Sequence, residues 1–173
     1  DTTLARVFLS KEESGGYALA ATFGRAVGWG TQFMALLMIP RMQTVHRTRA
    51  LYWANGIILV LGVVCIGVIG VAPGWWMSLV GGPDYAKYGL LAISCVSLGV
   101  LWALVQLWLF VEMSLNERFL GNLTWAVVGV QALAITLWFH DSAMHIIAVN
   151  AVGMTIIVLT ALLRIRRLDR VAA

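Results

Sequence analysis

Residues 51–72, LYWANGIILVLGVVCIGVIGVA, decide what kind of protein this is. No residue in the run carries a formal charge. As a helix rising about 1.5 Å per residue, it is long enough to cross a hydrocarbon core about 30 Å thick. Lipid offers backbone amides no hydrogen-bond partner, so only helices and closed barrels can span a bilayer. A barrel needs short segments of alternating polarity, and this run has no such alternation. The run reads as a transmembrane helix.

Four more runs of similar character lie around it, at about 16–39, 89–111, 121–139 and 144–163. The reading is all-α: a polytopic membrane helix bundle of five transmembrane helices plus the tail of a sixth, forming a single membrane domain over 1–173. Composition agrees. Of the 173 residues 61% are hydrophobic and 12% charged, with mean hydropathy +0.87, where soluble domains carry about 25% charge. The opening DTTLARVFLS reads as the end of a helix, and no signal peptide precedes the first apolar run. The chain is therefore expected to be a fragment of a longer protein. Pro40 and Pro73 punctuate helix ends, and Gly81-Gly82-Pro83-Asp84 marks a turn. Cys65 and Cys95 both fall inside apolar runs, where small hydrophobic packing is the expected role.

The basic residues orient the bundle. Arg41, Arg47, Arg49, Arg118, Arg164, Arg166, Arg167 and Arg170 fall on one side, eight of the twelve cations. Arg6, Lys11 and Lys87 fall on the other, together with Glu12, Glu13, Asp84 and Asp141. The positive-inside rule assigns 41–50, 112–120 and the C-terminus to the cytoplasm. The expected location is the cytoplasmic (inner) membrane, multi-pass, with membrane lipids as neighbours. The arginines after Leu163 fit topology and anionic lipid; no nucleic-acid partner is expected. Trp53, Trp75, Trp76 and Trp138 lie near span ends, as an interfacial belt requires. Glu112 and Glu117, beside Arg118, read as solvated charges of a short loop.

The twelfth cation, Arg25, lies in GGYALAATFGRAVGWGTQ (15–32), and it is the only formal charge between Gly15 and Arg41. Thr22, Arg25, Trp29 and Gln32 recur at spacings of three, four and three, which sets them on one helix face. Arginine at the centre of a bilayer is unfavourable by roughly 2.5–3.5 kcal/mol or more. Three accounts stand: a stripe facing a water-filled cavity, a structural ion pair, or snorkelling to the outer interface. Gly24 and Gly28 form a GxxxG step suited to close helix contact. Gln131 and Asn150 are further polar groups at membrane depth, where an interhelical hydrogen bond is an equal alternative to a binding role. His140, Asp141 and His145 cluster in an outer loop at a spacing that fits no zinc motif. Phosphate loops, HExxH, nucleophile elbows and paired-cysteine motifs are missing, so neither an enzyme nor a cofactor is indicated.

Three stretches together resemble the polysaccharide biosynthesis proteins, the oligosaccharide flippases of the multidrug/oligosaccharidyl-lipid/polysaccharide flippase superfamily. They are DTTLARVFLSKEESGGYALAATFGRAV (1–27), MALLMIPRMQ (34–43) and PGWWMSLVGGPDYAKYGLLAI (73–93). The resemblance is to the C-terminal half of that family's two-lobed unit, leaving an N-terminal lobe missing here. It implies translocation of a lipid-linked oligosaccharide, carried on a polyprenyl diphosphate, across the cytoplasmic membrane by alternating access. Arg25 is then the expected contact of the diphosphate, with Gln32, Thr22 and Gln131 as further substrate-binding residues and Asp1 as an ion-coupling candidate. Two other readings stay open: a multidrug or cation antiporter of the same superfamily, and a non-transporting scaffold for glycan-assembly enzymes.

Overall fold

The computed structural model describes residues 6–38, 47–114, 117–139 and 142–171. Helices dominate them, and among the described residues there is no strand. We number the helices α1 (Lys11–Met38), α2 (Arg47–Val71), α3 (Pro73–Gly81), α4 (Gly89–Ser114), α5 (Phe119–Leu137) and α6 (Ala143–Val171), with a 3-10 turn at Pro83–Tyr88. Among the described residues four stretches are long and apolar enough to cross a membrane: Arg49–Val71, Pro83–Ser114, Phe119–Leu137 and Ala143–Arg164.

These four correspond to the runs expected at 51–72, 89–111, 121–139 and 144–163. The fifth expected span, 16–39, is the 28-residue helix α1, which is absent from that set. The reason is compositional. Arg25, Gln32 and a series of glycines dilute its apolar content, although its length of roughly 42 Å exceeds a hydrocarbon core. Of the expected helix tail over the first ten residues, the described part has helical backbone at 6–8. Asp1 and Pro40 lie outside the described residues.

Where the turn was expected, the chain turns. Pro73 occupies the first turn of α3, where its missing N–H leaves no bond unmade. Gly82 follows α3 at φ 99°, a left-handed conformation that favours glycine. Trp76 donates its indole N–H to the Val68 carbonyl at 3.0 Å, folding α3 back on the end of α2. Across the same end of the bundle, Lys87 pairs with Glu12.

Helix α4 is the axis of the bundle. Its buried residues run from Gly89 to Glu112, and it packs against α1, α2, α5 and α6. One core cluster joins Ile58, Leu107, Trp108, Leu120 and Ile157; a second joins Tyr17, Ala20, Met77, Cys95 and Ile146. Cys95 is thus a packed core residue, as expected. Outward faces are apolar as well: Val60, Val63, Leu133 and Val152 are all more than 60% exposed. Apolar surface on this scale belongs against lipid or another protein.

Glu112 departs from the expectation of a solvated charge. It is 5% exposed, and its two carboxylate oxygens accept hydrogen bonds from the backbone N–H groups of Leu120 and Gly121, at 2.6 and 2.8 Å. The first N–H groups of a helix have no partner within it, and a carboxylate also suits the positive end of the helix dipole. Glu112 therefore caps α5 from the end of α4. Arg164 of α6 completes the arrangement, 3.3 Å from Glu112 and 2.8 Å from Glu117, with its guanidinium over the Phe119 ring.

Candidate functional site

The site is built on the seam between α1 and α4. Tyr17, Ala20, Ala21, Gly24 and Gly28 are the buried side of α1. A Cβ at Gly24 would stand 2.2 Å from the Cys95 carbonyl oxygen, and one at Gly99 would stand 2.1 Å from the Gly24 carbonyl oxygen. The two backbones meet there because both residues lack a side chain. The GxxxG step does the packing expected of it, with Gly28 lying against Trp102.

Close approach of α1 and α4 leaves the flank of the seam open. Arg25 and Trp29 come from the exposed side of α1 and border a cleft of about 450 Å³. Cys95, Leu98 and Trp102 of α4 form its base, while Gln131 and Ile135 of α5 and Asn150 of α6 close the far side. Arg25 supplies positive charge, and among the described lining residues none is acidic. Indole rings from Trp29 and Trp102 add flat apolar surface. The lining thus sets one cationic side chain beside flat apolar surface.

Gln131 is both lining and structural. Its side-chain amide donates to the backbone carbonyls of Val149 and Asn150, both at 3.2 Å, which joins α5 to α6. Gly153 makes room for it: a Cβ there would stand 2.1 Å from Gln131 Nε2. Asn150 donates to the Ile146 carbonyl at 2.8 Å within its own helix.

The other expected residues divide. Thr22 shares the exposed side of α1 but is not among the residues lining the cleft; its hydroxyl donates to the Ala18 carbonyl at 3.0 Å. Gln32 continues the stripe on α1, and its side chain lies outside the described residues, as does Asp1. His140 and Asp141 also lie outside them, whereas His145 meets Phe139 edge to face.

Sequence reading passed over two buried amides. Asn55 of α2 is 9% exposed and donates to the Leu51 carbonyl at 2.8 Å. The side-chain oxygen of Gln106 on α4 is buried without a hydrogen-bond partner among the described residues. A lone amide inside an apolar run was the available signal for both.

The fold defines a class: among the described residues, an all-helical bundle with four helices long and apolar enough to cross a membrane. Comparison with protein-family profiles, with curated proteins and with solved structures gave no match.

Proposed function

We propose that this chain is a membrane-embedded lobe of a transporter that translocates a lipid-linked oligosaccharide across the cytoplasmic membrane. In this reading α1 is a fifth span, Arg25 engages the diphosphate, and Gln131 with Asn150 offers hydrogen bonds to polar groups beside it. The single observation that carries it is the shared cleft: Arg25 and Gln131, far apart in sequence and on different helices, line one opening. An arginine facing such a space avoids the desolvation that full burial in lipid would impose, and its planar fork suits phosphate oxygens. The likeness of three sequence stretches to oligosaccharide flippases supplies the substrate class. A cation antiporter fits less well, because a fixed positive charge in the cleft opposes a cationic cargo.

The test replaces Arg25 at the native gene and follows the lipid-linked glycan in each leaflet. Arg25→Ala should leave the protein inserted and cause the glycan to accumulate on the cytoplasmic side, with Arg25→Lys restoring part of the export. Full export by an inserted Arg25→Ala protein would overturn the assignment. If export instead depends on Arg164, Arg166 and Arg167 through recruitment of partner enzymes, the chain is a scaffold.

A further inference from the structure

We propose that the outward face of α2 between Arg49 and Leu61 is a binding site for an anionic phospholipid of the leaflet on the arginine-rich side. The face is grooved: Arg49, Tyr52, Trp53, Gly56, Val60 and Leu61 border a space of about 800 Å³, lined among the described residues by α2 alone. Gly56 makes the notch. A Cβ added there meets nothing within 4 Å among the described residues, so on their side the groove is open.

Charge and depth select the occupant. The groove has a cationic end at Arg49 and becomes wholly apolar from Ile57 onward. Arg49 to Leu61 is twelve residues, roughly 18 Å along a helix. That is close to half of a hydrocarbon core of about 30 Å. One end therefore falls at headgroup level when the other reaches the midplane. Tyr52 and Trp53, 56% and 62% exposed, stand at the boundary, where amphipathic rings settle. An acyl chain laid along Gly56 and Val60 brings its phosphate to Arg49, as basic residues beside cytoplasmic helix ends do with acidic lipids. Among the described residues no carboxylate pairs with Arg49, and an acidic lipid supplies the counter-charge.

This proposal shares with the transporter reading only the requirement for a bilayer, and its test is independent of transport. The whole chain is reconstituted in vesicles of nine parts phosphatidylcholine to one part phosphatidylglycerol, released gently, and weighed with its bound lipids by native mass spectrometry. Phosphatidylglycerol should be retained at least fivefold above its share of the bilayer. Arg49→Gln should reduce the enrichment to near its bulk share, and Gly56→Phe, which puts a ring into the notch, should do the same. Gly67→Phe places a ring on the same helix well beyond the groove, where an added Cβ likewise meets nothing within 4 Å, and should retain the lipid. Helicity of each variant confirms that folding is intact. Retention of the two lipids in their nine-to-one bulk ratio, or enrichment unchanged in Arg49→Gln and Gly56→Phe, would overturn the proposal. So would displacement of phosphatidylglycerol by added polyprenyl diphosphate, which would make the groove a substrate path, or a second protein chain covering α2 with no lipid bound.

Discussion

Glu112 on α4 and Arg164 on α6 meet at 3.3 Å, across a carboxylate that also caps the first turn of α5. Three helices thus share one side chain near the arginine-rich end of the bundle. With Glu112 5% exposed, removing it leaves the Leu120 and Gly121 N–H groups without their acceptor. Glu112→Ala should lower stability by roughly 1–3 kcal/mol, the cost of unsatisfied buried donors. Glu112→Gln keeps one acceptor oxygen and should lose less. Arg164→Ala should lose least, about 1 kcal/mol or under, because the cap survives and the guanidinium is partly in solvent. Thermal unfolding of the three variants in one detergent gives the order directly, and an Arg164→Ala loss exceeding that of Glu112→Ala would contradict it.

The Gly24–Gly99 contact makes a second, sharper forecast. Each added Cβ would meet backbone at close to 2 Å, and backbone cannot swing aside as a side-chain end can. Gly24→Ala and Gly99→Ala should each force α1 from α4 and destabilise by roughly 1–3 kcal/mol. Gly67→Ala is the control: it faces open space, and alanine favours a helix over glycine by about 1 kcal/mol. Denaturation midpoints should therefore move in opposite directions for Gly24 and Gly67.

Much of this architecture was legible in the chain because its signals are local. Four of the five apolar runs, Pro73 and the Gly81–Asp84 turn each act within their own segment, and each appears where expected. Gly24 and Gly28 were legible too, since spacing alone marks a small-residue face. Glu112 was not. Its partners lie eight or more residues away, beyond a turn, and a carboxylate at the end of an apolar run looks the same whether solvated or capping. α1 shows the converse problem: the polar stripe that marks it as interesting is what removes it from the set of plainly membrane-spanning helices. As for the site, sequence could group Thr22, Arg25 and Trp29 on one face. It could not say that Thr22 bonds to its own helix, or that Gln131 and Asn150 close the cleft from the other side.

Gln131 and Gly153 should behave as a coupled pair. Gln131→Ala removes its bonds to the Val149 and Asn150 carbonyls, and such interhelical bonds average about 0.6 kcal/mol in a membrane protein. Gly153→Ala drives a methyl against the same amide, so it should displace Gln131 and also lose stability. With Gln131→Ala already in place, the clash with the amide is gone and Gly153→Ala should cost clearly less. A double-mutant cycle should therefore return a coupling of at least about 0.5 kcal/mol. Strict additivity would mean that Gly153 does not accommodate Gln131.

The cleft makes its own forecast about solvent. Trp29 is 65% exposed at its rim, whereas Cys95 at its base is 3% exposed. In a Cys65→Ala background, Trp29→Cys should react with a small charged maleimide that cannot cross lipid, while the native Cys95 thiol stays protected. Leu133 is 62% exposed on the outside of α5, yet it is not among the residues lining the cleft. Leu133→Cys should resist the same reagent if lipid covers that face, because a charged maleimide does not partition into hydrocarbon. The expected order of labelling rates is Trp29→Cys well above Leu133→Cys and Cys95. Adding an inorganic diphosphate at millimolar concentration should slow labelling at Trp29→Cys only while Arg25 is present. Protection that persists in the Arg25→Ala variant would separate the cleft from the charge that is proposed to define its ligand.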